Sequence, residues 1–177
     1  MCFFLLLLYI NTPQTLVWDT TPECERGVIL SPNMLRVSMN PSYRQSCRHV
    51  VSTGFTDDFT VRLSDNGVMH GVSIVCIGFA REGLDFTETR HVTRDGVYTL
   101  VPHVGKLFGT LDRTMPEVYC PLFTHGMVRC VADRLNGTIS YHVDGVDQGV
   151  AWRGVAPGPL HAVVIFIYPG VSTELIE

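Results

Sequence analysis

The sequence predicts an all-β fold, a sandwich of two sheets packed face to face. The 16 glycines and 10 prolines are spread along all 177 residues, and hardly any stretch longer than about a dozen residues is free of both. Long helices and coiled coils are therefore excluded. Short runs rich in β-branched and aromatic residues recur with turn residues between them, as in β-sandwiches and barrels. Apolar residues make up 46% of the chain and charged residues 17%, a composition that excludes disorder.

Strands in the first half are predicted from short apolar or β-branched runs, two of which, Leu35–Met39 and Phe59–Leu63, alternate with polar residues as strands buried on one face do. The predicted strands are Thr15–Trp18, Val28–Leu30, Leu35–Met39, His49–Thr53, Phe59–Leu63, Val72–Ala80 and Val97–Val101. Val72–Ala80 is apolar almost throughout, which predicts a central strand buried on both faces. Arg81–Arg94 is rich in charged and hydroxyl-bearing residues and is predicted to be an exposed loop.

A three-stranded meander is predicted in the third quarter of the chain. Its strands, and the long apolar strand after it, are Val128–Asp133, Thr138–Val143, Val150–Trp152 and Leu160–Tyr168. The pair Asn136-Gly137 predicts a two-residue hairpin turn, which requires positive φ at both positions. Asp144-Gly145 predicts a second tight turn.

One domain is predicted over residues 15–177, preceded by an apolar segment, residues 1–14, whose status stays open. Its run Cys2–Ile10 carries no charge and is too short to span a bilayer, which needs about 20 residues. The run has the length of the apolar part of a signal peptide but lacks a basic start and a small-residue cleavage site. We expect a first strand or an arbitrary chain start here, and a cytoplasmic monomer.

The six cysteines show no C-x-x-C spacing and no zinc-finger spacing with histidine. Cys76 and Cys130 lie inside apolar runs, where a free thiol behaves as a small core residue. We therefore expect reduced thiols; three disulfides in a secreted protein are the alternative.

Composition and motifs argue against several function classes. A net charge of −4 does not favour binding to a phosphate backbone, and no span could anchor the chain in a membrane. No hydrolase, P-loop, zincin or dinucleotide-binding motif occurs, and the seven histidines are scattered singly. We expect no enzymatic activity, no metal and no cofactor.

The segment 125–152 resembles the C-terminal half of SPRY domains. That family shows a Gly-Asp-x-Val step, a Cys or Val, a strand-ending Asp, an Ile-Ser-Phe/Tyr strand, an Asn/Asp-Gly turn and a Gly-x-Ala-Phe/Trp end. The matching residues are Gly126, Val128, Cys130, Asp133, Ile139, Ser140, Tyr141, Asp144, Gly145, Gly149, Ala151 and Trp152. Further similar segments are Ile77-Gly78-Phe79-Ala80, Asp95-Gly96-Val97-Tyr98, Phe59-Thr60-Val61 and Leu160–Tyr168, the last resembling the family's last core strand. Met127, Phe59 and Ala162 depart from the pattern, where Asp, Trp and Pro are usual.

The resemblance implies a bent, antiparallel sandwich of the concanavalin-like jelly-roll type that binds a protein or peptide through loops at one end. It also implies a role in recruiting substrates to a ubiquitin ligase or in a scaffold. Aromatic and Arg residues are the usual anchors of interfaces. In two polar loops they give the candidate ligand-binding residues Tyr43, Arg44, Arg81, Phe86, Arg90 and His91.

The alternative function is a carbohydrate-binding sandwich of the lectin type. Such lectins often need a Ca²⁺ site built from Asp and Asn side chains. The close pairs Asp57-Asp58 and Asp65-Asn66 are the candidates, and neither has a third ligand nearby in the sequence.

Overall fold

The computed structural model describes residues 15–20, 24, 26–42, 48–65, 75–84, 95–109, 118–168 and 170–176. Within these residues the chain forms thirteen strands and a single turn of 3-10 helix at Pro102–Val104. The strands are β1 (Trp18–Asp19), β2 (Val28–Leu30), β3 (Arg36–Met39), β4 (Arg48–Phe55), β5 (Asp58–Asp65), β6 (Val75–Arg81), β7 (Val97–Val101), β8 (Lys106–Gly109), β9 (Gly126–Asp133), β10 (Thr138–Val143), β11 (Val146–Arg153), β12 (Leu160–Phe166) and β13 (Val171–Ile176).

The strands form two antiparallel sheets, which confirms the predicted fold class. One sheet has six strands in the order β1-β4-β12-β6-β7-β8, and the other has seven in the order β11-β10-β9-β5-β13-β3-β2. Aromatic side chains meet between the sheets: Phe59 of β5 packs edge-on against Phe79 of β6, with ring centroids 5.1 Å apart. Tyr98 of β7 and Trp152 of β11 make a similar contact at 5.5 Å. These contacts place the main core between the two sheets.

The six-stranded sheet is buried on both faces near its centre. A second apolar cluster, which includes Cys76, Ala80, Val163 and Ile165, lies apart from the core between the sheets. All residues of β6 from Val75 to Ala80 are buried. This confirms the prediction of a central, doubly buried strand for the described part of that run.

Gly78 and Tyr141, two residues of the SPRY-like motifs, depend on each other. The Tyr141 hydroxyl donates a hydrogen bond of 2.9 Å to the Tyr98 carbonyl inside the core. A Cβ atom at position 78 would lie 2.0 Å from that carbonyl oxygen and 2.7 Å from the Tyr141 hydroxyl. The glycine therefore leaves the space in which the buried phenol finds its acceptor.

The structure corrects the predicted β9–β10 turn. Asp133 pairs with Thr138, so four residues rather than two form the loop, and Asn136 does not have positive φ. The Asp133 carboxylate accepts the backbone N–H groups of Leu135 and Asn136, and these bonds fold the longer loop. The two-residue turn lies at Asp144-Gly145, where both φ angles are positive, at 48° and 82°.

The sequence did not predict two of the strands, and it predicted the wrong bounds for a third. β8 and β13 are additional, so Leu160–Tyr168 does not contain the last strand, and the strand there ends at Phe166. The first described strand is Trp18–Asp19 rather than Thr15–Trp18. The remaining predicted strands match within a few residues, apart from residues 72–74, which lie outside the described part.

The two ends of the sandwich carry different loops. At one end, which we call the Phe55 end, Phe55 pairs with His161, Arg81 pairs with Leu160, and β4 turns directly into β5. At the opposite end, the Tyr168 end, β12 leads into β13 through residues 167–170.

Candidate functional site

Of the six candidate residues, Arg81 is described; Tyr43, Arg44, Phe86, Arg90 and His91 lie outside the described residues. The strands that flank them are informative. β6 ends with Arg81 at the Phe55 end, whereas β4 begins with Arg48, which pairs with Phe166, at the Tyr168 end. The segments that contain the two groups of candidates therefore leave the sandwich at opposite ends.

A β-bulge shapes the Phe55 end. The register between β4 and β12 shifts between His161 and Val163, and Ser52 fills the gap in the ladder. Its hydroxyl accepts the Ala162 N–H at 3.0 Å and donates to the Gly54 carbonyl at 2.6 Å. Bulges of this kind redirect the side chains that follow them. Here the residue that follows is Phe55.

Phe55 is an exposed aromatic side chain that packs at a tilt of 57° against the imidazole of His161. It is 53% exposed, and its ring centroid lies 4.6 Å from that of His161. His161 Nδ1 lies 2.9 Å from the Ser52 carbonyl oxygen. A carbonyl only accepts hydrogen bonds, so Nδ1 carries a proton, and Nε2 of the neutral ring is an acceptor. The pair presents an apolar surface beside a polar nitrogen.

Arg81 lies two strands away from Phe55 in the same sheet. Neighbouring strands are about 4.8 Å apart, so the two backbones are separated by about 10 Å. The exposed Arg81 side chain lies over Gly96, where a Cβ would approach its Cδ atom to 3.0 Å. The backbone N–H of Arg81 donates to the Gly96 carbonyl at 2.9 Å, and the backbone N–H of Glu82 donates to the Pro159 carbonyl at 3.2 Å. The end of β6 is thus fixed by backbone hydrogen bonds while Arg81 remains exposed.

An arginine ties three loops together at this end. Arg134, in the β9–β10 loop, pairs with Asp57 of the β4–β5 turn and donates to the Gly158 carbonyl of the β11–β12 loop. The Asp57 carbonyl also accepts the Ala132 N–H at 2.7 Å. A rim held in this way loses little conformational entropy when a ligand binds.

A tyrosine bridges the bulge between β10 and β11. The Tyr119 hydroxyl donates to the Gly149 carbonyl at 2.6 Å and accepts the Tyr141 backbone N–H at 3.4 Å. The register between the two strands shifts at this point, so the hydroxyl fills the gap that the bulge leaves in the ladder. Asp147 accepts the Gly149 N–H at 2.8 Å, and the Val146 carbonyl accepts the Gln148 amide at 3.0 Å. These contacts stabilise the bulged segment of β11.

A shallow cavity of about 250 Å³ lies on the seven-stranded sheet, lined by Thr60, Met127, Arg129, His142 and Gly145. The Arg129 guanidinium is already held by Asp58 through two hydrogen bonds. The described residues contain no group of three or more His, Cys, Asp or Glu side chains that could hold a metal ion. Asp57 and Asp58, the first candidate pair for Ca²⁺, are each paired with an arginine; Asn66 of the second pair lies outside the described residues.

Sequence reasoning missed Phe55, His161 and Arg134 as residues of this end. The predicted strand stopped at Thr53, because Gly54 and the polar residues after Phe55 read as a turn. The bulge carries the strand on to Phe55. Only the pairing of distant strands, which a single sequence does not show, brings His161 beside it.

Comparison with known proteins agrees with this architecture. No protein-family model matches the chain, and no curated protein matches it. Among solved structures, the SPRY domain of human HERC1 matches with a TM-score of 0.69 at 17% identity, over 90% of this chain and 98% of that one. The TRIM65 PSpry domain matches with a TM-score of 0.66 at 16% identity, over 92% of each chain.

The NEUZ (NHR) domain of Neuralized from Drosophila melanogaster also matches, with a TM-score of 0.59 at 15% identity, over 92% of this chain and 91% of that one. The chain thus has the fold of SPRY domains over about nine-tenths of its length, as the sequence resemblance implied. No described helix is long and apolar enough to cross a membrane.

Proposed function

We propose that this chain, with the fold of an SPRY domain, is a non-enzymatic module that binds a peptide or protein through the Phe55 end. The observation that carries the proposal is the exposed Phe55 ring. It follows the bulge at Ser52 and packs against the His161 ring. Aromatic anchors on rigid platforms supply much of the affinity of protein interfaces. The Arg134 contacts hold the neighbouring loops in place before a ligand arrives.

The other binding residues proposed at this end are Arg81 and, in the segment after it, Phe86, Arg90 and His91. Arg81 supports this extension because β6 is rigid and delivers the segment to the Phe55 end. Tyr43 and Arg44 form a separate candidate surface, since the strands flanking their segment end at the Tyr168 end.

The biological role proposed for the module is to recruit a ligand to a ubiquitin ligase or a scaffold in the cytoplasm. The fold supports this role only at the level of a module for protein interaction. Purification of the full-length transcript product with its stable partners tests the role. Copurification with a ligase subunit supports it, whereas stable association with an enzyme of unrelated chemistry contradicts it.

A displayed peptide library selected against the purified chain tests the binding site. Phe55→Ala is compared with Tyr168→Ala, because both side chains are 53% exposed and lie at opposite ends. We expect Phe55→Ala to weaken the selected peptides about 30-fold, the effect of losing an anchor worth about 2 kcal/mol. Tyr168→Ala should leave their affinity unchanged. The reverse pattern contradicts the proposed site.

Substitution of Phe86 and Arg90 by Ala tests the extension of the site beyond Arg81. We expect weaker peptide binding with a melting temperature close to that of the parent, since exposed substitutions change stability by about 0.5 kcal/mol. A melting temperature lowered by several degrees for Phe86→Ala would place that ring in the core. Full binding by both variants would contradict this extension and favour the segment that contains Tyr43.

The lectin alternative is tested by a glycan array with and without Ca²⁺. Binding that depends on Ca²⁺ would favour it over the module proposed here. Within the described residues Asp57 and Asp58 already neutralise arginines, so we expect no such dependence.

A further inference from the structure

The β9–β10 loop ends in the pair Asn136-Gly137, with Asn136 exposed to solvent. The glycine is required by the backbone, because its φ is 59° and a Cβ there would lie 3.2 Å from the Val155 carbonyl oxygen. The Gly137 carbonyl also accepts the Val155 N–H at 2.9 Å. The loop therefore keeps an asparagine next to a residue without a side chain, the arrangement in which a backbone nitrogen reaches a side-chain amide most easily.

The Asn136 side chain is turned back towards the start of its loop. Its Nδ2 donates to Asp133 Oδ2 at 2.6 Å. Asp133 Oδ1 accepts the backbone N–H groups of Leu135 and Asn136, both at 3.0 Å. The carboxylate thus restrains the carboxamide through a residue that precedes it in the loop.

We propose that Asn136 is a site of spontaneous deamidation, and that its hydrogen bond to Asp133 slows the reaction in the folded chain. The Gly137 backbone nitrogen forms a bond to Asn136 Cγ, and the Cγ–Nδ2 bond breaks. Nδ2 leaves as ammonia and takes up the proton from the Gly137 N–H group. Water then opens the resulting succinimide at either carbonyl, giving aspartate or isoaspartate at position 136.

Aspartate or isoaspartate at position 136 disrupts the β9–β10 loop. The carboxamide donor is lost, and a second carboxylate faces Asp133 at hydrogen-bonding distance, where like charges repel. Isoaspartate also adds a methylene group to the backbone. The same loop carries Arg134, which joins the β4–β5 turn to the β11–β12 loop. Deamidation therefore loosens the Phe55 end, a consequence that holds whether or not that end binds a peptide.

Peptide mapping by mass spectrometry tests the proposal on the whole chain, incubated at mildly alkaline pH with and without urea. Isoaspartate is detected by methyl transfer from labelled S-adenosylmethionine. Asn66-Gly67 is the same dipeptide and serves as the internal reference in urea. Asn33, which precedes Met34, is the slow control, and Asn136→Gln should abolish the signal at position 136.

We expect position 136 to react as fast as position 66 in urea and severalfold more slowly in the folded chain. Asp133→Ala, at a partly exposed residue, should raise the folded rate severalfold while circular dichroism stays unchanged. Asn136→Asp should speed hydrogen exchange at Leu135. No reaction at position 136 even in urea overturns the site. A folded rate equal to the rate in urea, or unchanged by Asp133→Ala, overturns the protection by Asp133.

Discussion

Gly78 shows how one missing side chain supports a long-range contact. The Tyr141 hydroxyl reaches the Tyr98 carbonyl through space that any Cβ at position 78 would fill. The sequence motif alone gives no reason for this glycine, because its partner lies 63 residues further along the chain. Only the packing of the two sheets explains why the residue between Ile77 and Phe79 has no side chain.

Gly78→Ala is expected to lower the free energy of unfolding by about 3 kcal/mol, since backbone and a buried phenol must both move. Gly83→Ala is the matched control. Gly83 has a φ of 77° but no atom within 4 Å of the added Cβ, so only backbone strain of about 1 kcal/mol applies. Urea unfolding measures both. Equal losses would show that the contact with Tyr141 does not restrict position 78.

Two fully buried threonines differ in a single hydrogen bond. The Thr173 hydroxyl has no hydrogen-bond partner among the described residues, whereas the Thr99 hydroxyl donates to the Phe108 carbonyl at 2.7 Å. Thr173→Val should therefore raise the free energy of unfolding by about 1 kcal/mol, because an unpaired polar group leaves the core. Thr99→Val should lower it by about the same amount. Destabilisation of both variants to the same extent in urea unfolding would contradict this assignment.

At the scale of elements, the sequence predicts most strands but not the loops that join them. β6, β9 and β10 could be predicted because an apolar run or strict alternation marks them, and part of β11 because the Asp144-Gly145 turn precedes it. β8 is four residues long and starts with Lys106, and β13 follows Pro169-Gly170 and carries polar residues, so neither pattern stood out. The β9–β10 turn was misread because the Asp133 side chain, not the Asn-Gly pair, sets the loop length.

The candidate site was predictable only in part, because contacts between residues distant in the sequence shape it. Arg81 ends a strand that is easy to recognise, whereas Phe55 follows a bulge and contacts His161 across a strand pair. The bulge depends on Ser52 bonding to β12, more than a hundred residues away in the chain. Local sequence carries no signal for such a contact.

The β9–β10 loop should respond to acid through Asp133. Hydrogen bonds from the Asn136 side chain, the Asn136 backbone and the Leu135 backbone lower the pKa of Asp133 below its ordinary value of 3.8. A lowered pKa in the folded state stabilises the loop at pH values above the ordinary pKa. The contribution is lost as the pH falls through the lowered value.

Nuclear magnetic resonance titration of the Asp133 carboxyl group measures this effect. We expect the amide signals of Leu135 and Asn136 to shift in the same pH range, with Asn136→Ala moving the Asp133 pKa upward. A carboxyl group that titrates at its ordinary value would show that the three bonds do not form in solution.

For the whole molecule, the described cysteines behave as core residues. Cys24, Cys76, Cys120 and Cys130 are buried thiols, while Cys2 and Cys47 lie outside the described residues. Burial raises the pKa of the Cys120 thiol, and desolvation raises that of Cys130 well above its ordinary value. Thiols of this kind react slowly, because the thiolate is the nucleophile.

Reductant should accordingly leave the melting temperature unchanged. A native disulfide contributes about 2–4 kcal/mol, so its loss would be visible as a shift of several degrees. Thiol counting in the folded and unfolded chain provides the control: we expect the four buried thiols to react only after unfolding. A large downward shift with reductant would contradict the expectation of reduced thiols.

The central claim is that a protein or peptide binds at the Phe55 end, and a hydrogen-exchange footprint with a selected peptide tests it most directly. We predict slower exchange at residues 55–58, 81–84 and 158–161, whose backbone lies at that end. Exchange at residues 102–105, 144–145 and 167–170, at the Tyr168 end, should not change. Protection confined to the Tyr168 end, or to the cavity around His142, would contradict the account.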